Sequence, residues 1–211
     1  MNGVEFRDRR DAGRQLGAAL ESYRDQKPLI VGLPRGGVVV AAEVAAALSA
    51  DLDILVVRKL GAPDQPELGL GAIAEGGVLL LNKPLMRQVG VAKEQLQSTI
   101  DAENEELKRR LDLYRGGRDP IDVTGRLVIV VDDGLATGGT VRAAAGALQH
   151  LGAKSLVLAV PVGSPRTVEE LHPLFDDIVC LETPVSFWAI GQFYTEFAQT
   201  TDEEVVELLA G

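Results

Sequence analysis

The chain of 211 residues carries a net charge of −10, with 46% hydrophobic but only 4% aromatic residues. That length supports one domain (residues 1–211) with a sound core, and the acidic balance argues against a general nucleic-acid binder. Many aliphatics and few aromatics suit buried parallel strands covered by helices, and no apolar run approaches the length of a membrane span.

Residues 1–10 lack the apolar stretch of a secretion signal. Residues 11–24 have helical spacing, with Leu16, Ala19, Leu20 and Tyr23 on one side. After Pro28, Leu29-Ile30-Val31-Gly32-Leu33 reads as a short buried strand. Pro34-Arg35-Gly36-Gly37 breaks it, residues 38–49 read as a buried helix, and residues 53–57 as the next strand. This strand–helix–strand unit is the signature of a parallel sheet. Residues 60–77, rich in Gly and Pro, predict a long loop around a short strand near Ala72 to Ala74, and long loops often serve as lids. Residues 78–81 read as a further strand. Residues 92–114 predict a long charged helix with a thin apolar stripe of Leu96, Ile100, Leu107, Leu111 and Tyr114.

Residues 127–131 form the clearest buried strand, and 140–151 a helix of small residues ended by Gly152. Residues 156–160 and 178–181 read as two more strands. The latter holds Cys180, the single cysteine, read as inert core; a chain with no possible intrachain disulfide fits a cytoplasmic setting. Residues 183–197 hold five of the nine aromatics, and 202–209 predict a closing helix capped by Thr201. His150 and His172 sit in no metal-ligand spacing and read as structural.

The segment from Val130 to Thr140 joins a strand, the acidic pair Asp132-Asp133, a Gly-rich turn and a helix start. Ligands of open α/β sheets bind at the carboxyl ends of strands. A helix start offers unpaired N–H groups and a positive dipole end to a phosphate, and Gly138 and Gly139 let the backbone approach it closely. Two carboxylates can accept hydrogen bonds from neighbouring sugar hydroxyls. Phosphate at one end and diol at the other describe a ribose 5-phosphate. A Walker A loop is absent, and the glycines do not follow the first strand as a Rossmann fingerprint requires. A methyltransferase-like nucleotide-binding loop is the nearest rival.

The run Val128-Ile129-Val130-Val131, Asp132-Asp133, Thr137-Gly138-Gly139-Thr140 resembles the 5-phosphoribosyl-1-pyrophosphate (PRPP) motif of the type I phosphoribosyltransferases. The Phe6-Arg7-Asp8-Arg9 stretch and the tail resemble a bacterial phosphoribosyltransferase-like group. The resemblance implies the parallel-sheet α/β fold of that family, flanked by helices. Its core spans about residues 25–181, a flexible loop about 59–77, and a small hood about 1–10 and 182–211. It implies that Asp132 and Asp133 hold the ribose hydroxyls while Gly134, Leu135, Ala136, Thr137, Gly138, Gly139 and Thr140 form the phosphate loop. Ala136 departs from the Thr that many members carry.

It further implies a pyrophosphate loop at Arg35, Gly36 and Gly37, basic residues Arg58 and Lys59 leading into a mobile lid, and an acceptor wall in the hood at Phe187, Trp188 and Phe193. Asp64 and Glu67 stand where the orotate-specific members carry basic lid residues. The implied cofactor is Mg²⁺, carried mainly on PRPP and met by Asp132 and Asp133 through water. The implied reaction transfers the phosphoribosyl group to a nitrogenous base or amine with loss of pyrophosphate, in a homodimer as is common in the family. A non-catalytic PRPP-binding regulator keeps the same loop and stays open as the alternative.

Overall fold

The computed structural model describes residues 6–62 and 65–210, without the side chains of residues 65–67 and 93. Asp64 and residues 1–5 of the expected hood lie outside them, and so does the side chain of Glu67.

Helix α1 (Arg9–Ala19) starts at Asp8, whose carboxylate accepts from the Asp11 N–H at 2.7 Å, an N-cap that satisfies an orphan donor of the first turn. A 3₁₀ turn (Glu21–Gln26) follows where one continuous helix was expected, and leads to β1 (Leu29–Gly32). Helix α2 (Gly36–Leu48) then returns the chain to β2 (Asp51–Ile54). Next come β3 (Val57–Ala62), β4 (Gln65–Ala74), β5 (Val78–Leu81), α3 (Lys83–Val89) and the long α4 (Lys93–Arg115). The second half alternates: β6 (Leu127–Val131), α5 (Gly139–His150), β7 (Ser155–Val162), α6 (Pro165–Leu171), β8 (Asp177–Glu182) and α7 (Asp202–Ala210). The Thr201 hydroxyl accepts from the Glu204 N–H at 3.2 Å, capping α7 as its sequence predicts.

The main sheet is five-stranded and parallel, in the order β2-β1-β6-β7-β8. Strand alternation divides its core. Leu29, Val31, Val128 and Val130 meet Ala144, Ala147 and Leu148 of α5 on one face. Ile30, Ile129 and Val131 meet Leu16 and Leu20 of α1 and Val40 and Val44 of α2 on the other. Both faces are therefore apolar, as a sheet covered on two sides requires.

The largest departure from the sequence reading lies in residues 57–81. Two antiparallel strands, β3 and β4, replace most of the loop expected over 60–77, and with β5, the strand expected at 78–81, they form a separate three-stranded sheet. Gly71 marks crowding rather than turning, since a Cβ there would overlap the Leu80 carbonyl oxygen, whereas Gly76 and Gly77 take positive φ in the turn between β4 and β5. The register also shifts around Gly61, a bulge that breaks the simple alternation a strand displays in sequence. Helices α3 and α6 are additions too; both carry Pro in the first turn, where its missing N–H costs nothing.

Helix α4 is tied to the core by charge. Arg115 reaches Asp53 at 2.9 Å and Glu75 at 2.6 Å, and all three side chains are at most 11% exposed. Burial holds Glu75 above the ordinary carboxylate range against the pull of Arg115. Arg115→Met leaves two buried carboxylates without their cation. It should lower unfolding free energy by about 3–5 kcal/mol, read from urea melts; a loss within error would show that the triad is not a structural bond.

Candidate functional site

Between β1 and β6 the order of strands reverses, because β1 leads outward to β2 while β6 leads the other way to β7 and β8. A crevice opens at the carboxyl ends of such strands. The two strands are in register, Gly32 beside Val131, and the Leu33 N–H donates to the Val131 carbonyl at 3.0 Å. The segments leaving them are the two expected from sequence, Arg35-Gly36-Gly37 and Asp132-Asp133. They touch: a Cβ on Gly36 would lie 2.0 Å from Oδ2 of Asp133, and one on Gly37 2.9 Å from Oδ1 of Asp132. The glycines are there because no side chain fits between these turns. The Pro34–Arg35 peptide is cis.

The acidic pair is anchored on one side and open on the other. Oδ1 of Asp132 accepts from the Asp133 N–H at 2.9 Å, and Oδ2 of Asp133 accepts from Arg9 Nε at 2.7 Å. Among the described residues each carboxylate's second oxygen has no hydrogen-bond partner. No buried side-chain oxygen there lacks one, so both second oxygens reach solvent. Loss of hydration on burial, then repulsion from Asp133, raise the Asp132 carboxyl well above its usual range.

Beyond the pair the loop is pinned from behind. Leu135 donates its N–H to Val162 at 2.9 Å and accepts from Ser164 at 2.9 Å, while the Thr167 hydroxyl donates to the Ala136 carbonyl at 2.6 Å. Gly134 abuts Ile190 of the hood, where a Cβ would lie 2.5 Å from a methyl carbon. Gly138 takes φ +72° as the N-cap of α5, a left-handed turn that favours glycine, and no side chain caps the helix. The first-turn N–H groups of α5 are thus available to an anion. Ala136, Thr137, Gly139 and Thr140 are exposed, so the loop faces outward into solvent.

The basic residues separate. Neighbours on a strand point to opposite faces, and Arg58 and Lys59 are neighbours on β3. Arg58 turns to α4, where Glu103 holds it at 2.7 Å. Lys59 lines a hollow of about 340 Å³ with Asn82, Gly139 and Arg142, on the phosphate-loop side. The two residues expected side by side at the pyrophosphate lid thus lie on opposite faces of β3. Arg35 lies 3.8 Å from Asp202 of α7, whose carboxylate accepts from the Tyr114 hydroxyl at 2.5 Å.

In the hood, Phe193 is buried with Phe6 and Tyr194, and Phe187 packs on it at 5.4 Å between centroids. Trp188 is 89% exposed. A ring outside the expected acceptor wall reaches the acidic pair through Arg9: Phe197, whose centre lies 3.9 Å from the Arg9 guanidinium carbon. Tyr194, also unexpected, donates its hydroxyl to the Asp133 carbonyl at 2.6 Å. Nothing in the sequence joins Arg9 to a carboxylate 124 positions away; only pairing of residues 6–7 with 193–196 brings the ends together.

A doubly covered parallel sheet with an acidic pair and an uncapped helix start at its switch point points to one class, and the comparisons agree. The family model described as phosphoribosyl transferase domain matches residues 10–197, and the chain belongs to that family. It is 48% identical over 97% of its length to a Mycobacterium tuberculosis protein named "Putative phosphoribosyl transferase Rv0571c", and covers 46% of that protein. It is 31% identical to the adenine phosphoribosyltransferase of M. tuberculosis, over 76% of this chain and 62% of that one. The chain thus spans about half the length of the first relative and under two thirds of the second. The crystal structure of TT1426 from Thermus thermophilus superposes with a TM-score of 0.88 at 42% identity, covering 97% of both chains.

A raised Asp132 makes its ionised form a cost to the fold. Stability is untouched below the ordinary Asp range, where the group is protonated folded and unfolded, and falls as pH rises from there toward the folded value. Asp132→Asn should therefore melt higher than the parent at pH 8, by about 2–4 °C for each kcal/mol relieved, with the gap closing near pH 4. Thermal melts at both pH values test this; an equal gap at each would remove the electrostatic account.

Proposed function

We propose that this chain binds PRPP with Mg²⁺ and transfers its phosphoribosyl group to a nitrogenous base, releasing pyrophosphate. The observation that carries the reading is the pair of open carboxylate oxygens on Asp132 and Asp133 beside the uncapped start of α5. The 5-phosphate sits on the amides of Ala136 to Thr140, and the ribose hydroxyls donate to the two carboxylates. Mg²⁺ fits as a passenger on PRPP: among the described residues no group of three or more acidic, His or Cys side chains is placed to hold a metal ion. Bound there, the ion offsets charge on the departing pyrophosphate.

The chain itself positions and excludes water. Glycines 36 and 37 bring a turn against the acidic pair, so its backbone lies where pyrophosphate leaves. Arg35 offers a fork suited to phosphate oxygens once released from Asp202, and Lys59 adds charge from the hairpin. As the C1–oxygen bond to pyrophosphate breaks, the base nitrogen supplies the electron pair of the new C1–N bond and gives up its proton. The ring becomes positive in between, and the Asp132–Asp133 pair favours that charge. Trp188 is the exposed ring of the expected acceptor wall, while Phe187 and Phe193 pack on each other in the hood core.

Titration calorimetry with PRPP and Mg²⁺ should show one site. Asp132→Asn with Asp133→Asn should weaken it more than about tenfold, since hydrogen bonds to charged groups are worth roughly 1.5–3 kcal/mol each. Unchanged affinity in a folded double variant would reject the diol assignment. Pyrophosphate release on adding nucleobases reports turnover; binding without release would recast the chain as a PRPP-binding regulator.

A further inference from the structure

Arg9 makes more contacts at the acidic pair than a passing surface cation would. Its Nε donates to Asp133 Oδ2 at 2.7 Å, its terminal nitrogen donates to the Ala198 carbonyl at 2.7 Å, and its plane lies 3.9 Å from the centre of the Phe197 ring. The two charged side chains are only 12% and 14% exposed, so this pair is not a solvent-screened surface bridge. Phe197 in turn stacks on Tyr194 at 4.9 Å, and Tyr194 holds the Asp133 carbonyl. Residue 133 is thus gripped at backbone and side chain by the hood, while its Oδ1 stays open.

We propose that Arg9 is a positioning residue of the sugar site: by holding one oxygen of Asp133 it aims the other at a ribose hydroxyl, making the first helix part of the diol site. The inference rests on the reading of Asp132 and Asp133 as the diol-binding pair. A carboxylate free to turn must be ordered when the sugar binds, whereas one already fixed has no such cost at that moment. Arg9 also offsets one of two adjacent negative charges that an anionic substrate must approach. Lysine cannot reproduce the arrangement, because it lacks both the planar fork and the flat face that lies on Phe197.

A purely structural role, stapling hood to core, would affect stability and would not depend on the Asp133 carboxylate. The test is a double-mutant cycle, with PRPP and Mg²⁺ titrated into the parent chain, Arg9→Met, Asp133→Ala and the combined variant, and a thermal melt of each. Arg9→Met should weaken binding about tenfold in the parent, yet less than about twofold in the Asp133→Ala background, where the group it aims is gone. Arg9→Lys should fall between the parent and Arg9→Met. If Arg9→Met does not fold, Arg9→Lys replaces it in both backgrounds and must show the same dependence on Asp133. Equal losses in both backgrounds, or no loss in either, overturn the proposal. A parent chain that does not bind PRPP overturns the diol reading and this inference with it; binding by the parent with uncoupled variants overturns this inference alone.

Discussion

The contact of two turns at the ends of β1 and β6 organises the rest of the site. Gly36 and Gly37 press against Asp132 and Asp133 so closely that a methyl group on either glycine would overlap the acidic pair. That approach depends on parallel strands in register, Gly32 beside Val131, which release their turns at the same height. The same strands bury apolar residues on both faces, so the energy that holds the register comes from the core and the chemistry is left to the turns. Polar residues at a strand end are well placed here because the strand itself is rigid.

Around this fixed centre the remaining parts are added by contact. The loop after the acidic pair is pinned from behind by β7 and α6 through Leu135, Ala136 and Thr167. The hood joins residues 6–7 to 193–196 and presses Ile190, Tyr194 and, through Arg9, Phe197 toward the acidic pair. The second sheet brings Lys59 toward α5 on one face and sets Leu60 and Ile73 against Leu107 of α4 on the other. Within an overall charge of −10, the positive elements near the acidic pair are local: a helix start, Arg35, Lys59 and Arg9.

Three arginines expected or found near the acidic pair already have partners. Arg35 approaches Asp202, Arg58 is held by Glu103, and Arg9 bonds Asp133. The three differ in what a ligand would change. Arg35 sits part-exposed at a long ion-pair distance of 3.8 Å and is the easiest to redirect. Arg58 is bound closely on the far face of its strand, and Arg9 is enclosed by a carboxylate, a carbonyl and a ring.

The sequence alone determined the alternating strands and helices, the phosphoribosyltransferase resemblance and the positions of both turns. Those features are local: apolar runs, a pair of acids, glycines at a helix start and Thr201 as a cap all act within a few residues. It read residues 60–77 as a loop around one short strand, because Gly71 in a crowded strand looks like a glycine in a loop and a bulge erases the period that marks a strand. It grouped Arg58 with Lys59 although alternation on β3 sends them apart. Tertiary structure decided which charges meet. Arg9 with Asp133, Arg115 with Asp53 and Glu75, and Tyr194 with the Asp133 backbone all join positions at least 40 residues apart. Such pairs leave no periodic trace in a sequence, because only packing of the sheet, hood and long helix brings them within bonding distance.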